Sequence, residues 1–143
     1  MGAAVGCVVG LVAITPSAGY VTVGESIFIA FVTTLICNVA VYWKAHSRID
    51  DALDVFPTHG VGGIVATIFT GVFAQTGLIA WTHAGFMEFV AAVAGVAIVI
   101  AYTFVVSMLL YWITNRMIGM RVSPPCETAG LDLSQHDEVY GAP

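Results

Sequence analysis

The stretch Asp54-Val55-Phe56-Pro57-Thr58-His59-Gly60-Val61-Gly62-Gly63 runs without a break into the apolar segment 64–73. An acid, a proline, a lone histidine and three glycines thus stand at the mouth of a segment that reads as a membrane-spanning helix. An ionisable group inside such a helix is rare, because the bilayer core offers it no water, and it marks a functional site whose partner must be named. Asp54 can act as an N-cap, its carboxylate accepting from otherwise unpaired amides, or can fix the entrance to a conduit; the two roles are compatible. Pro57 falls in the first turn, where its missing N–H does little harm. His59 is the candidate functional residue. A neutral imidazole donates from one nitrogen and accepts at the other, which suits the lining of a narrow conduit. The competing reading is a histidine hydrogen-bonded to a neighbouring helix.

The rest of the chain places this segment in a bilayer. Of its 143 residues 59% are hydrophobic and only 9% charged, against about 25% charged in soluble domains. A span needs about 20 mostly apolar residues, so the length accommodates about four. The fold expected is an all-α integral membrane protein with helices over about 2–16, 25–44, 55–74 and 87–114, that is a membrane domain over 1–122, followed by a polar, acidic tail over 123–143 that begins at the helix-ending Ser123-Pro124-Pro125. The first run is short for a span. No basic leader or cleavage pattern follows Met1 and the apolar pattern is already running at Ala3, so this span is expected to be cut into. Gly2, Gly6 and Gly10 recur every four residues, as do Gly63, Thr67 and Gly71. With Gly60 and Gly62 they are expected to form smooth faces for close helix packing.

The remaining polar residues carry less. Cys7, Cys37 and Cys126 lack metal or redox spacing and read as small core residues. His46 and His83 fall in expected loops, the latter in a connection over 75–86, and His136 falls in the tail. Glu25 and Glu88 lie near helix starts, where an acid complements the dipole. No nucleophile has a base beside it, and Gly60-Val61-Gly62-Gly63 does not follow a strand, so nothing supports an enzyme. No cofactor or metal is implied, and no basic stripe offers contacts to nucleic acid. Lys44 and Arg48 lie between the second and third runs, and Arg116 and Arg121 after the fourth. All four therefore belong on one side, expected to be cytoplasmic together with both ends of the chain.

Asp50-Asp51-Ala52-Leu53-Asp54-Val55-Phe56-Pro57-Thr58-His59-Gly60-Val61-Gly62-Gly63 resembles the motif D-D-x-x-D-V-F-x-x-H-G-x-G-G of the ammonium transporters, in their bacterial, plant and fungal branch. Gly10-Leu11-Val12-Ala13-Ile14-Thr15-Pro16-Ser17-Ala18-Gly19 resembles that family's helix end G-L-V-x-x-T-P-x-x-G, and Gly119-Met120-Arg121-Val122 with Gly130-Leu131-Asp132 and His136 resembles its cytoplasmic tail. The resemblance implies a homotrimer of eleven-helix subunits, each built from two inverted five-helix repeats and a last helix. One histidine from each repeat lines an apolar pore for ammonium or ammonia. This chain resembles helices eight to eleven plus the tail, with His59 as the second repeat's histidine; the other histidine and the outer aromatic and serine groups belong to the first part. In the family the tail touches neighbouring subunits and can meet a PII-type signalling protein. Here His136-Asp137-Glu138-Val139-Tyr140 departs from the family's H-G-E-x-A-Y. The expected function is ammonium transport across the plasma membrane. The alternative is a non-transporting membrane fragment or ammonium-sensor module that associates with full-length subunits.

Overall fold

A computed structural model describes residues 2–139; Tyr140, in the motif-like tail, lies outside them. The described residues are helical and contain no strand. The helices are α1 (Gly2–Ile14), α2 (Val23–Ala45), α3 (Gly62–Phe73), α4 (His83–Met117), α5 (Pro124–Ala129) and α6 (Leu131–His136). A π-helical turn, Phe56–Val61, leads directly into α3, and a short 3-10 turn, Leu78–Ala80, follows it. Among the described residues three segments are long and apolar enough to cross a membrane: Val23–Ala45, Phe56–Ala80 and His83–Met117. With 13 residues, α1 rises only about 20 Å, less than the roughly 30 Å hydrocarbon core.

The chain divides into two compact units, Met1–Ile100 and Ala101–Pro143. In the first, α1, α2 and α3 share one core. Val9 and Ala13 on α1, Ile29, Thr33 and Cys37 on α2, and Ala66 on α3 are fully buried. The spacing of four residues on α1 and α2 is that of a single helix face. Phe28 meets Phe69 and Phe73 with ring centroids 6.4 and 5.5 Å apart, extending the core along α3. Glycine has a narrower role than the sequence pattern suggests. Gly6 meets only the Thr34 methyl, at 3.8 Å from where a Cβ would stand, while Gly2, Gly10 and Gly63 face open space. The seam on α1 runs through Val9 and Ala13, where the apolar side chains are large enough to fill the contact.

Two helix starts differ from the expected ones because their caps lie upstream of the apolar runs. At α2, Thr22 and Glu25 form a capping box, the Thr22 amide donating to Glu25 Oε2 at 2.7 Å, which satisfies amides the helix leaves unpaired. At α4, Thr82 Oγ1 accepts from the Gly85 amide at 3.0 Å, so His83 opens the helix and is not in a loop. Glu88 Oε2 accepts from Thr76 Oγ1 at 2.7 Å, tying this first part of α4 to the connection before it. Gly85 itself lies against the Gly77 carbonyl, too close for any Cβ, and Gly71 packs on α4 with room of only 3.0 Å to the Ala92 Cβ.

In the second unit Pro124 begins α5, although Ser123-Pro124-Pro125 reads as a stop. Proline in a first turn loses no hydrogen bond and brings a φ already suited to a helix. Arg121 Nη2 pairs with Glu127 Oε1 at 2.9 Å, and Ser134 Oγ donates to the Cys126 carbonyl at 3.2 Å.

Candidate functional site

The site grows from the connection between α2 and the π turn. Lys44, in the last turn of α2, extends its ammonium across the connection to Asp54 Oδ1 at 2.7 Å and donates also to the Asp51 carbonyl. Its side chain is only 16% exposed, so this pair is partly removed from water. Asp54 adopts a left-handed backbone, φ +54°, which aspartate tolerates better than most residues. Its carbonyl accepts from the Thr58 amide at 3.1 Å and from Thr58 Oγ1 at 2.6 Å.

The capping carboxylate is that of Asp51 and not, as expected, that of Asp54. Asp51 Oδ2 accepts from the Phe56 amide at 2.8 Å and Oδ1 from the Val55 amide at 2.9 Å. Asp54 is unavailable for this because Lys44 holds its carboxylate. The Phe56 amide first and the Val55 amide second keep the Asp51 carboxyl below its ordinary range, since both bonds favour the charged form.

From this cap the π turn carries Pro57 and Thr58 inward, both buried, and His59 outward, exposed. The His59 ring makes no hydrogen bond with any described residue, so a bond to a neighbouring helix within this chain is not formed. π turns are uncommon and concentrate at functional sites. Beyond it Gly62 is buried, and a Cβ there would stand 3.3 Å from both Cys37 Sγ and Val12 Cγ1; this is the glycine of the motif on which α1 and α2 close. Gly60 leaves room only for the ring of Phe56, and Gly63 opens onto the unoccupied side.

The other sequence candidates lie apart. His46 packs on Tyr42 with the rings tilted and their centroids 4.4 Å apart, its Nδ1 being 2.8 Å from the Tyr42 carbonyl. His136 ends α6. A cleft of about 310 Å³ between Tyr20, Thr67, Thr70 and Glu88 lies toward the other end of α3. Among the described residues no three His, Cys, Asp or Glu side chains come together as metal ligands. Lys44 and Asp51 are the neighbours of the candidate site that the sequence reading missed. Asp51 stands four and five residues before the amides it caps, a spacing that could have found it. Lys44 and Asp54 are ten residues apart across a loop, and no local pattern joins them.

The family model of the Ammonium Transporter Family matches residues 1–140. The chain belongs to the ammonium transporter family. Within that family it is 38% identical to ammonium transporter 2 of Schizosaccharomyces pombe over 93% of this chain and 29% of that protein. It is 35% identical to ammonium transporter Amt1 of Archaeoglobus fulgidus over 97% of this chain and 36% of that one. The crystal structure of Candida albicans Mep2 superposes with a TM-score of 0.70 at 32% identity, covering 85% of this chain and 29% of Mep2. The chain thus spans about a third of the length of the relatives it matches.

Charge on Asp51 gives a pH signature to the start of the π turn. A carboxyl whose folded pKa lies below its ordinary value stabilises the fold above that ordinary value, and the contribution is lost as pH falls through the depressed one. Hydrogen-exchange protection of the Val55 and Phe56 amides is therefore expected to hold from neutral pH down to the ordinary carboxylate range and to fall below it. Asp51→Asn should start with lower protection and show no such fall; an Asp51→Asn variant that kept the wild-type acid profile would place the titrating group elsewhere.

Proposed function

We propose that this chain forms one wall of an ammonium-conducting pore, as the C-terminal part of a transporter subunit, and that His59 lines the pore. The observation that carries the reading is the His59 ring, which stands outward from a segment long and apolar enough to span a membrane and is without a hydrogen-bond partner among the described residues. An unpaired polar group facing hydrocarbon costs several kcal/mol at order of magnitude, so this face calls for a polar or water-filled neighbour. Gly63, one turn further, leaves the same region open. Ammonia is both donor and acceptor, as a neutral imidazole is, so a ring in this position can pass it along after ammonium has shed its proton and its water. The proton can follow from nitrogen to nitrogen. Asp54 and its Lys44 partner stand at the inner entrance. A second histidine and the enclosing helices come from parts of the subunit outside this chain, the membrane domain takes in 1–122, and homotrimer assembly and PII-type regulation through the tail over 123–143 belong to the same proposal.

Cells lacking their own ammonium transporters provide the test. Methylammonium uptake by this chain alone is expected to equal that of an empty vector, because one short apolar helix and three spans do not enclose a pore. Co-expression with the complementary first part of a family member is expected to restore uptake. His59→Ala should then lower it by about tenfold, the rate equivalent of one lost hydrogen bond. Restored uptake that His59→Ala leaves unchanged would remove His59 from the pore, and His59-dependent uptake by the chain alone would show that these helices suffice. No uptake from the pair, despite membrane insertion of both, would favour a non-transporting module.

We further propose that the four basic residues face the cytoplasm in the plasma membrane, following the excess of Lys and Arg on inner loops. Gly77 cannot report on the opposite side, because a Cβ there would stand 2.7 Å from the Gly71 carbonyl; exposed Ala80 can. A membrane-impermeant thiol reagent applied to intact cells should label Ala80→Cys and spare Ser47→Cys. The reverse pattern would invert the orientation.

A further inference from the structure

Lys44 belongs to α2, yet its ammonium holds both acids that define the start of the π turn: the carboxylate of Asp54 and, through its carbonyl, Asp51. Asp51 in turn holds the first two amides, Val55 and Phe56. His59 comes five residues after Asp54, and no hydrogen bond of its own ring fixes where it points. Its direction is therefore set by the backbone register of the turn. A π turn carries one residue more than the corresponding α turn. Expelling that residue rotates the N-terminal side of the slip against its C-terminal side by about 100°. The side of the turn away from His59 is packed, with Pro57 and Thr58 buried, and its far end is fixed by Gly62 against Cys37 and Val12. The near end has only the connection over 46–53, which is exposed apart from Asp51, and the cap that Lys44 ties down.

We propose that Lys44 is a positioning residue: by clamping Asp54 and Asp51 to the end of α2 it holds the π turn in register and so keeps His59 on the pore face. The proposal rests on the pore reading of His59. It differs from a plain interfacial lysine, whose stem covers apolar surface while its charge stays in water, because it requires the carboxylate of Asp54. Asp54→Asn separates the two, since asparagine also tolerates the left-handed backbone and removes only the charge.

The test uses a complete subunit carrying this segment and measures ammonium and methylammonium transport in the same cells. The ratio of the two is independent of how many folded copies reach the membrane, which a merely structural defect would change. His59→Ala defines the direction and size of the shift. Lys44→Met and Asp54→Asn are each expected to shift the ratio the same way, by up to about tenfold, and Lys44→Arg to stay near wild type. If one clamp acts through one histidine, Lys44→Met adds nothing to Asp54→Asn and nothing in a His59→Ala background, because variants in one pathway are not additive. A wild-type ratio in Lys44→Met and Asp54→Asn, alongside a shift in His59→Ala, would overturn the clamp and leave the pore reading standing. Multiplicative losses in the double variants would also overturn it. A silent His59→Ala would overturn the pore reading and the clamp with it.

Discussion

In a bilayer every polar group must find its partner inside the protein, and this constraint explains most polar side chains of the spanning helices. Thr34, Thr67, Thr70 and Thr114 each donate to the carbonyl four residues earlier, at 2.7 to 2.9 Å. Such a bond lets a hydroxyl sit in hydrocarbon without a second helix. Asn38 does the same through its amide, at 3.0 Å to the Thr34 carbonyl. Where helices meet, Ser17 Oγ and Thr70 Oγ1 pair at 2.7 Å. Against this background several groups have no partner among the described residues: Tyr102, Thr103 and Ser107 on α4, and two in the segments before it. Thr33 Oγ1 is buried without a partner, and the His59 ring is exposed without one. The threonine sits inside the three-helix core, whereas the histidine ring faces away from it.

The packing has the same asymmetry. The faces of α1, α2 and α3 that meet are closed by side chains and by Gly62, whereas α4 buries only Gly85. Ile98 and Val99, in the part of α4 that belongs to the first unit, remain more than half exposed, as expected of a helix whose surroundings are lipid or other helices. Such a surface is far more apolar than a soluble domain leaves contiguous. The core of α1 to α3 is thus closed within this chain, and the proposed pore face with His59 lies outside it.

The order of the four apolar helices was legible in the sequence because long apolar runs, interrupted by basic or proline-rich connections, have few other readings; the chain length suggests about four spans where three of the described segments are long enough, and the two short helices of the tail were not legible. The proposed role of His59 starts from the same feature: in an apolar run a lone ionisable group stands out. The helix starts at Thr22 and Thr82 were not, because a cap is a local polar contact upstream of the hydrophobic pattern. Nor was the exchange of roles between Asp51 and Asp54. Three acids within five residues compete for the same amides, and the choice falls to Lys44, which arrives from another helix and takes Asp54 out of the competition. The π turn was likewise invisible, since it differs from an α turn by one residue and leaves the apolar pattern intact. At Gly2, Gly10 and Gly63 the glycine spacing leaves a smooth face on which nothing in this chain packs.

The central claim is that the His59 face becomes an interior face of a larger subunit. A spin label at position 59 of the complete subunit, with a nitroxide-labelled lipid for comparison, measures this through collisions with oxygen dissolved in the bilayer. The account predicts that the label at 59 collides with lipid-dissolved oxygen far less often than the lipid label does. Oxygen accessibility at 59 equal to that of the lipid label would mean that the histidine faces lipid, and would contradict it.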